Sequence, residues 1–273
     1  MFKLLALDID GTLVKDTDEI SSPVKKAIFE VKEQGIDIVL LSGRNYFGMK
    51  PYVEELRLST LTASANGTVI VDVIKDQIVY EETIDIAVAK EIALEAKKRG
   101  LLVINMSGYN IQTEDFCHAP KEIRNFMHFN FMIIEDVIAC IEAKRPNKIS
   151  VAGDYHILKE FRSEYLSQFK DIFNMEFGMK NFLEIYSNKA GKGNALEYIA
   201  HQLGHGKEHI ISIGDSENDI DMFKASGCSV AMGNARDLVK SHADYITQSV
   251  EENGAAAAIE KFILRRIKEE SNV

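Results

Sequence analysis

The run from Leu4 to Ile9 is short and, apart from Asp8, apolar, and Asp10-Gly11 closes it. A run of this length bounded by a turn pair reads as a buried strand. Ser22-Pro23 then opens a helix, with Ser22 as N-cap and Pro23 at the first helical position. Val24, Ala27, Ile28 and Val31 recur at i, i+3, i+4 and i+7, which makes one buried stripe, and Gly35 ends it. Ile36 to Leu41 is a second apolar run, closed by Ser42-Gly43-Arg44. A strand–helix–strand unit joins parallel neighbours by a right-handed crossover, so this opening commits the chain to a doubly wound parallel α/β sheet. A third short strand, Leu61 to Ser64, ends at Asn66-Gly67.

The last third returns to the same pattern. Leu196, Ile199, Ala200 and Leu203 form a helical stripe, and Ile210 to Ile213 is a buried strand ending at Gly214-Asp215. Ser229 to Met232 and Asp244 to Thr247 read as further strands, and a terminal helix follows Gly254. The middle differs. Val69 to Ile74 and Ile78 to Tyr80 flank Lys75-Asp76-Gln77 as a hairpin. Helix–strand stretches follow near 86–104 and 136–151, then a helix near 156–168 and strands near 172–176 and 182–186. The expected organisation is a parallel core made of residues 1–83 and 188–273, with an α+β domain of residues 84–187 inserted into it.

The length of 273 residues suits two unequal domains. The net charge of −10 lacks the footprint of a nucleic-acid-polymer binder, although a metal ion and a few placed cations suffice for a small phosphorylated ligand. Cys117, Cys140 and Cys228, odd in number and widely spaced, argue for reduced thiols rather than disulfides or a zinc site. Met1 leads directly into the first strand without a signal peptide, and no apolar stretch approaches the about 20 residues that span a bilayer. A cytoplasmic protein with neither membrane nor obligate protein partner is expected.

Four polar clusters carry the chemistry. Asp8-Ile9-Asp10-Gly11-Thr12 lies at the carboxyl end of the first strand, where open α/β sheets bind ligands. Side chains two apart on a strand share a face, so both carboxylates are expected to face one site, and a hard divalent cation would relieve their repulsion. By itself the pentapeptide reads equally as a turn. Gly214-Asp215-Ser216-Glu217-Asn218-Asp219 offers the oxygen ligands that magnesium prefers, although an acidic helix N-terminus would also explain Glu217 and Asp219. Ser42-Gly43-Arg44 supplies a hydroxyl and backbone amides fit for phosphate oxygens. Lys192, between Gly191 and Gly193, offers a compact cation at a helix start, or a plain solvated charge. In a doubly wound fold all four places share one sheet edge.

In this order the four motifs resemble those of the haloacid dehalogenase (HAD) superfamily of phosphatases. The large insertion resembles the α/β cap, of C2B type, in its Cof-type sugar-phosphatase branch. The likeness extends to Asn66-Gly67, to Val230-Ala231-Met232-Gly233-Asn234-Ala235 and to Ala243-Asp244-Tyr245-Ile246-Thr247. Ser42 stands where many members carry threonine, and Asn253-Gly254 where Asp-Gly is common. The resemblance implies a phosphatase for small phosphorylated metabolites that works with Mg2+ through an aspartyl-phosphate. Asp8 would be nucleophile and metal ligand. Asp10 would be general acid and base and would give its backbone carbonyl to the metal; to carry a proton near neutral pH, it is expected to sit away from the metal's full charge and share a hydrogen bond, with Thr12 as the candidate partner. Asp215 would complete the metal ligands. Ser42, Gly43, Lys192 and Asn218 would hold the phosphoryl group, and Asp219 would orient Lys192 or metal-bound water.

The cap would exclude water and select the substrate. Residues 105–131 are rich in polar and aromatic side chains, including Tyr109, His118, Arg124, His128 and Asn130. Arg124 and His128 are the substrate-binding candidates there. Arg44 is a third, unless it pairs with a carboxylate. A phosphomutase or other phosphotransferase would share these motifs. A non-catalytic receiver-like regulator would share the aspartates, magnesium and lysine, but would be shorter and capless.

Overall fold

The computed structural model describes residues 1–15, 19–115, 131–169 and 171–267. In chain order its strands are β1 (Leu4–Leu7), β2 (Asp37–Leu40), β3 (Leu61–Ser64), β4 (Val69–Asp72), β5 (Gln77–Glu81), β6 (Leu102–Ser107) and β7 (Asn110–Thr113), then β8 (Phe131–Ile133), β9 (Lys148–Ala152), β10 (Phe173–Met179), β11 (Phe182–Ser187), β12 (Ile210–Gly214), β13 (Cys228–Ala231) and β14 (Tyr245–Ile246).

The first sheet has the order β14-β13-β12-β1-β2, with every pair parallel. The doubly wound parallel α/β core predicted from the opening run is therefore present. β1 sits inside it, between a neighbour that follows in the chain and one that arrives near the far end. That makes β1 the place where the winding reverses, and ligands of open α/β sheets gather there. The helix Ser22–Glu33 buries Val24, Ala27, Ile28 and Val31, the stripe read from the sequence. It begins one residue earlier than expected, with Ser21 in the cap position. The helix Lys192–Leu203 buries Leu196, Ile199 and Ala200 against the other side of the sheet.

β3 does not extend the parallel sheet. It pairs antiparallel with β4, and β4 with β5, and only an isolated parallel bridge, Leu41 to Ala63, ties this smaller sheet to the first. The helix Tyr46–Glu55 was not anticipated from the sequence. It has Pro51 inside it, which removes one backbone donor, yet it buries Tyr46, Met49, Tyr52 and Val53.

Residues 84–187 build a six-stranded sheet of order β10-β11-β9-β6-β7-β8, antiparallel except for β7 with β8. Strand alternation divides its side chains between two faces. Val103, Ile149, Val151, Leu183 and Ile185 pack on one face against Ile92, Ala93, Ala96, Leu158 and Phe161 of the helices Ile86–Lys98 and Tyr155–Phe169. Ile104, Met106, Ile111, Ala152 and Phe182 pack on the opposite face, together with Ala65 from the end of β3. That second face therefore looks onto the residues that follow β3. Among the described residues, no helix is long and apolar enough to cross a membrane. Cys140 and Cys228 are free thiols, and Cys117 lies outside the described residues.

Candidate active site

β1 ends at Leu7, so Asp8 is the first residue past the central strand, and its amide still donates to Ile213 O of β12 at 3.1 Å. The chain then doubles back, with the amides of Thr12, Leu13 and Val14 all donating to Ile9 O. Gly11 makes this turn possible at φ +79, and a Cβ there would lie 2.2 Å from Asp215 Oδ2. The same glycine thus permits the turn and lets the second acidic cluster approach.

Lys192, 1% exposed at the start of its helix, is the electrostatic centre. Its Nζ donates to Asp8 Oδ1 and to Asp219 Oδ1, each at 2.6 Å. Asp219 Oδ2 accepts from the amides of Asp215 and Ser216, both at 2.9 Å. Asp219 and Ser216 form a capping box, so Asp219 caps the helix start while its other oxygen meets Lys192. Asp215 accepts from Ser216 Oγ at 3.1 Å and from Asn234 Nδ2 at 3.1 Å. Asn234 also donates to Gly11 O at 2.9 Å, tying the two acidic loops together.

Oxygens of Asp8, Asp215 and Asp219 lie within 4.8 Å of one another. Burial pushes the Asp8 carboxyl well above the usual carboxylate range, and Asp219 adds to the push against the pull of Lys192. Asp215 is pushed up to about 7, by burial first and Asp219 second. Burial disfavours the Lys192 ammonium, but Asp219 and Asp8 outweigh it and hold its pKa above that of an ordinary lysine. Asp8 Oδ2 is buried with no partner among the described residues. An orphaned carboxylate oxygen, an all-oxygen donor set and carboxyls strained against ionisation fit a hard divalent cation.

The Asp10 carboxylate is not one of the three clustered ones, but it lies close enough to add to the upward push on Asp8 and Asp215. The strand ends before either residue. Arg44 Nε and Nη2 donate to Asp10 Oδ2 and Oδ1 at 2.9 and 2.6 Å. Only the backbone carbonyl of Asp10 is left for the metal role that the family likeness implies. The expected Asp10–Thr12 hydrogen bond is also absent. Thr12 Oγ1 is buried with no partner among the described residues. Arg44 is accordingly an ion-pair partner of Asp10, stacked 5.2 Å over the Tyr52 ring.

Ser42 Oγ accepts from the Arg44 amide at 3.1 Å, which leaves its own proton for donation. The Ser42 amide is already bonded to Ala63 O, so among backbone groups this residue offers a ligand nothing through its N–H. Asn218 Nδ2 lies 3.4 Å from Asn66 Oδ1, and its own Oδ1 is buried without a partner among the described residues. Asp8, Ser42, Gly43, Lys192, Asp215, Asn218 and Asp219 thus meet at the carboxyl edge of the parallel sheet. Arg124 and His128, like His118 and Asn130, lie outside the described residues.

Sequence reasoning left Lys148 and Glu184 unmarked. Lys148, fully buried, donates to Gly43 O at 2.9 Å and pairs with Glu184, whose other oxygen accepts from Asn66 Nδ2 at 2.8 Å. In Lys148-Ile149-Ser150-Val151 the lysine alternates with apolar residues, which reads locally as a solvent-facing position.

Residues 5–259 match the family model of haloacid dehalogenase-like hydrolases. The chain is 30% identical over 279 residues to the 5-amino-6-(5-phospho-D-ribitylamino)uracil phosphatase YcsE of Bacillus subtilis, with 96% of each chain covered. It is 28% identical over 296 residues to the phosphatase YwpJ of the same organism, covering 93% of this chain and 97% of that one. A solved haloacid dehalogenase-like hydrolase from Bacteroides thetaiotaomicron matches with a TM-score of 0.86 at 31% identity, over 96% of this chain and 100% of the other. One from B. subtilis matches with a TM-score of 0.84 at 27% identity, over 96% and 100%.

Proposed function

Since the chain belongs to the haloacid dehalogenase-like hydrolase family, we propose that it is a cytoplasmic, magnesium-dependent phosphatase of small phosphorylated metabolites, acting through an aspartyl-phosphate on Asp8. The observation that carries this reading is Asp8 itself. One of its oxygens is held by Lys192, the other is buried without a partner among the described residues, and an Asp8 oxygen lies within 4.8 Å of oxygens of Asp215 and Asp219.

Asp8 Oδ2 attacks phosphorus, the bond from phosphorus to the leaving oxygen breaks, and Asp10 protonates that oxygen. Both Asp10 oxygens accept from Arg44, so Asp10 takes up a proton and gives up one of these hydrogen bonds on substrate binding, before it acts as the acid. Water then attacks the acyl phosphate, Asp10 takes its proton, and the Asp8 carboxylate is released with inorganic phosphate. Ser42 Oγ, the Gly43 amide, Lys192 and Asn218 surround the phosphoryl oxygens, because phosphoryl transfer depends on positioning and charge neutralisation. The Asp8 and Asp215 carboxylates and the Asp10 carbonyl would hold Mg2+, whose charge lets an anionic nucleophile approach an anionic phosphate. Asp219 has both oxygens engaged, and it orients Lys192 and the Asp215–Ser216 backbone. Residues 84–187 act as the cap that excludes water, with its open sheet face over the site.

Phosphate release from sugar, nucleotide and cofactor monophosphates tests the reading, with and without Mg2+ and with Asp8→Asn as control. The panel includes 5-amino-6-(5-phospho-D-ribitylamino)uracil, the compound in the name of a relative. Turnover that requires Mg2+ and disappears in Asp8→Asn is expected. A folded protein inert toward every member and toward p-nitrophenyl phosphate would refute it.

A further inference from the structure

The sheet face over the site carries a buried ion pair that the catalytic scheme leaves unused. Lys148 opens β9 and Glu184 lies within β11. Each has one partner in the other and one across the boundary in the parallel-sheet unit. For Lys148 that partner is the Gly43 carbonyl, and for Glu184 it is the Asn66 side-chain amide.

Those two outside partners form one local unit. The Asn66 amide donates to Ser42 O at 3.0 Å, and the Ala65 amide donates to Arg44 O at 2.7 Å. Asn66 holds a left-handed conformation at φ 59, which asparagine tolerates better than most residues. A Cβ on residue 43 would lie 2.6 Å from Asn66 Oδ1, so only glycine permits this approach. Asn66 Oδ1 in turn faces Asn218, and Arg44 carries Asp10. Through Gly43 and Asn66 the ion pair therefore touches three of the four polar clusters.

Stability alone is a poor reason for such a pair. Taking two charges out of water costs more than burying an apolar pair of the same shape, whereas charge-assisted hydrogen bonds impose direction. We propose that Lys148 and Glu184 are positioning residues, a latch carried by the cap that sets the Gly43–Asn66 geometry when the cap is seated. The proposal rests on the phosphatase reading for its catalytic consequence. It requires neither residue to touch substrate. It makes the phosphoryl-holding loop fully formed only under a closed cap.

The test is the double variant Lys148→Met/Glu184→Gln, which removes both charges without stranding one. The probe is p-nitrophenyl phosphate with Mg2+. A tenfold or greater loss of kcat is expected, with KM changed less than threefold and the melting temperature within a few degrees of the parent. Backbone amides of residues 42–44 and 65–67 should exchange hydrogen faster. Asn66→Gly keeps the left-handed backbone and removes the side chain, and it should give the same kinetic signature if the double variant folds poorly. Unchanged kcat with unchanged exchange would overturn the latch. So would a loss confined to metabolite substrates, which would make the pair a substrate contact. Faster exchange in the double variant, in a parent protein that hydrolyses no phosphate ester, would support the latch and refute the phosphatase reading instead.

Discussion

Replacing Lys192 with methionine separates an electrostatic site from an ordinary packed core. The ammonium sits 2.6 Å from both Asp8 Oδ1 and Asp219 Oδ1, and no side chain of the three is more than 5% exposed. Removing one partner of a buried ion pair costs about 3–5 kcal/mol, because a charge is left without compensation. Here two carboxylates are left facing each other, so the loss belongs at the upper end. With a urea slope of about 2–3 kcal/mol/M, the midpoint should fall by about 2 M. Unfolding is measured by circular dichroism in EDTA, so that no bound cation substitutes for the ammonium. The double variant Lys192→Met/Asp219→Asn removes one of the stranded charges and keeps an acceptor for the Asp215 and Ser216 amides. It should recover about 1–2 kcal/mol relative to Lys192→Met, as interacting neighbours do in a double-mutant cycle. A Lys192→Met midpoint within 0.3 M of the parent, a shift of roughly 1 kcal/mol on that slope, would refute the view of Lys192 as the charge that permits these carboxylates to be buried.

Two further outcomes follow from the same geometry. Burial raises the Glu176 carboxyl above its ordinary value, Glu184, Asp221 and Glu217 add to the rise, and the Tyr186 hydroxyl at 2.6 Å opposes it. A folded-state pKa above the unfolded one gives stability that is present at low pH and lost as pH rises through the folded value. Glu176→Gln should therefore flatten the decline of the urea midpoint above about pH 4.3, the ordinary glutamate pKa, and a variant with the parent's slope would contradict this. Gly11→Ala forces a Cβ into the space of Asp215 Oδ2 at φ +79. It should abolish aryl-phosphate turnover and cost about 1–2 kcal/mol in backbone strain, read by calorimetry. Full activity would show that the turn can relocate.

The legible part of this fold was the part governed by local pattern. The stripe Val24, Ala27, Ile28 and Val31 lies where its spacing puts it, and β3 has the predicted ends. The clusters at Asp8, Ser42, Lys192 and Asp215 converge because each ends a core strand or begins a core helix, and topology does the rest. The illegible parts depend on partners distant in sequence. Nothing around Asp10 announces that Arg44, 34 residues on, takes both its oxygens. The helix Tyr46–Glu55 is hidden by Pro51, whose cost is met by burying Tyr46, Met49 and Tyr52. Lys148 sits in an alternation that usually marks a wet face, and only the presence of Gly43 and Asn66 opposite makes that face buried.

The position of β1 has a consequence for biosynthesis. Leu4, Leu5, Ala6 and Leu7 are wholly buried, and they need neighbours on both sides. β2 emerges soon after them, but β12 begins at Ile210, on the far side of the inserted sheet. At synthesis rates of about 5–20 residues per second, the wait is roughly 10–40 s. During that time the central strand shows a bare apolar edge, and by its end residues 84–187 have every strand of their own sheet. The insert can therefore become compact on the ribosome before the parallel sheet that carries it is complete. Asp8 is made before the insert, and it meets Lys192 only after the insert has been synthesised. Premature release after Ser187 and before Ile210 yields a chain with every strand of the insert's sheet and an incomplete parallel sheet.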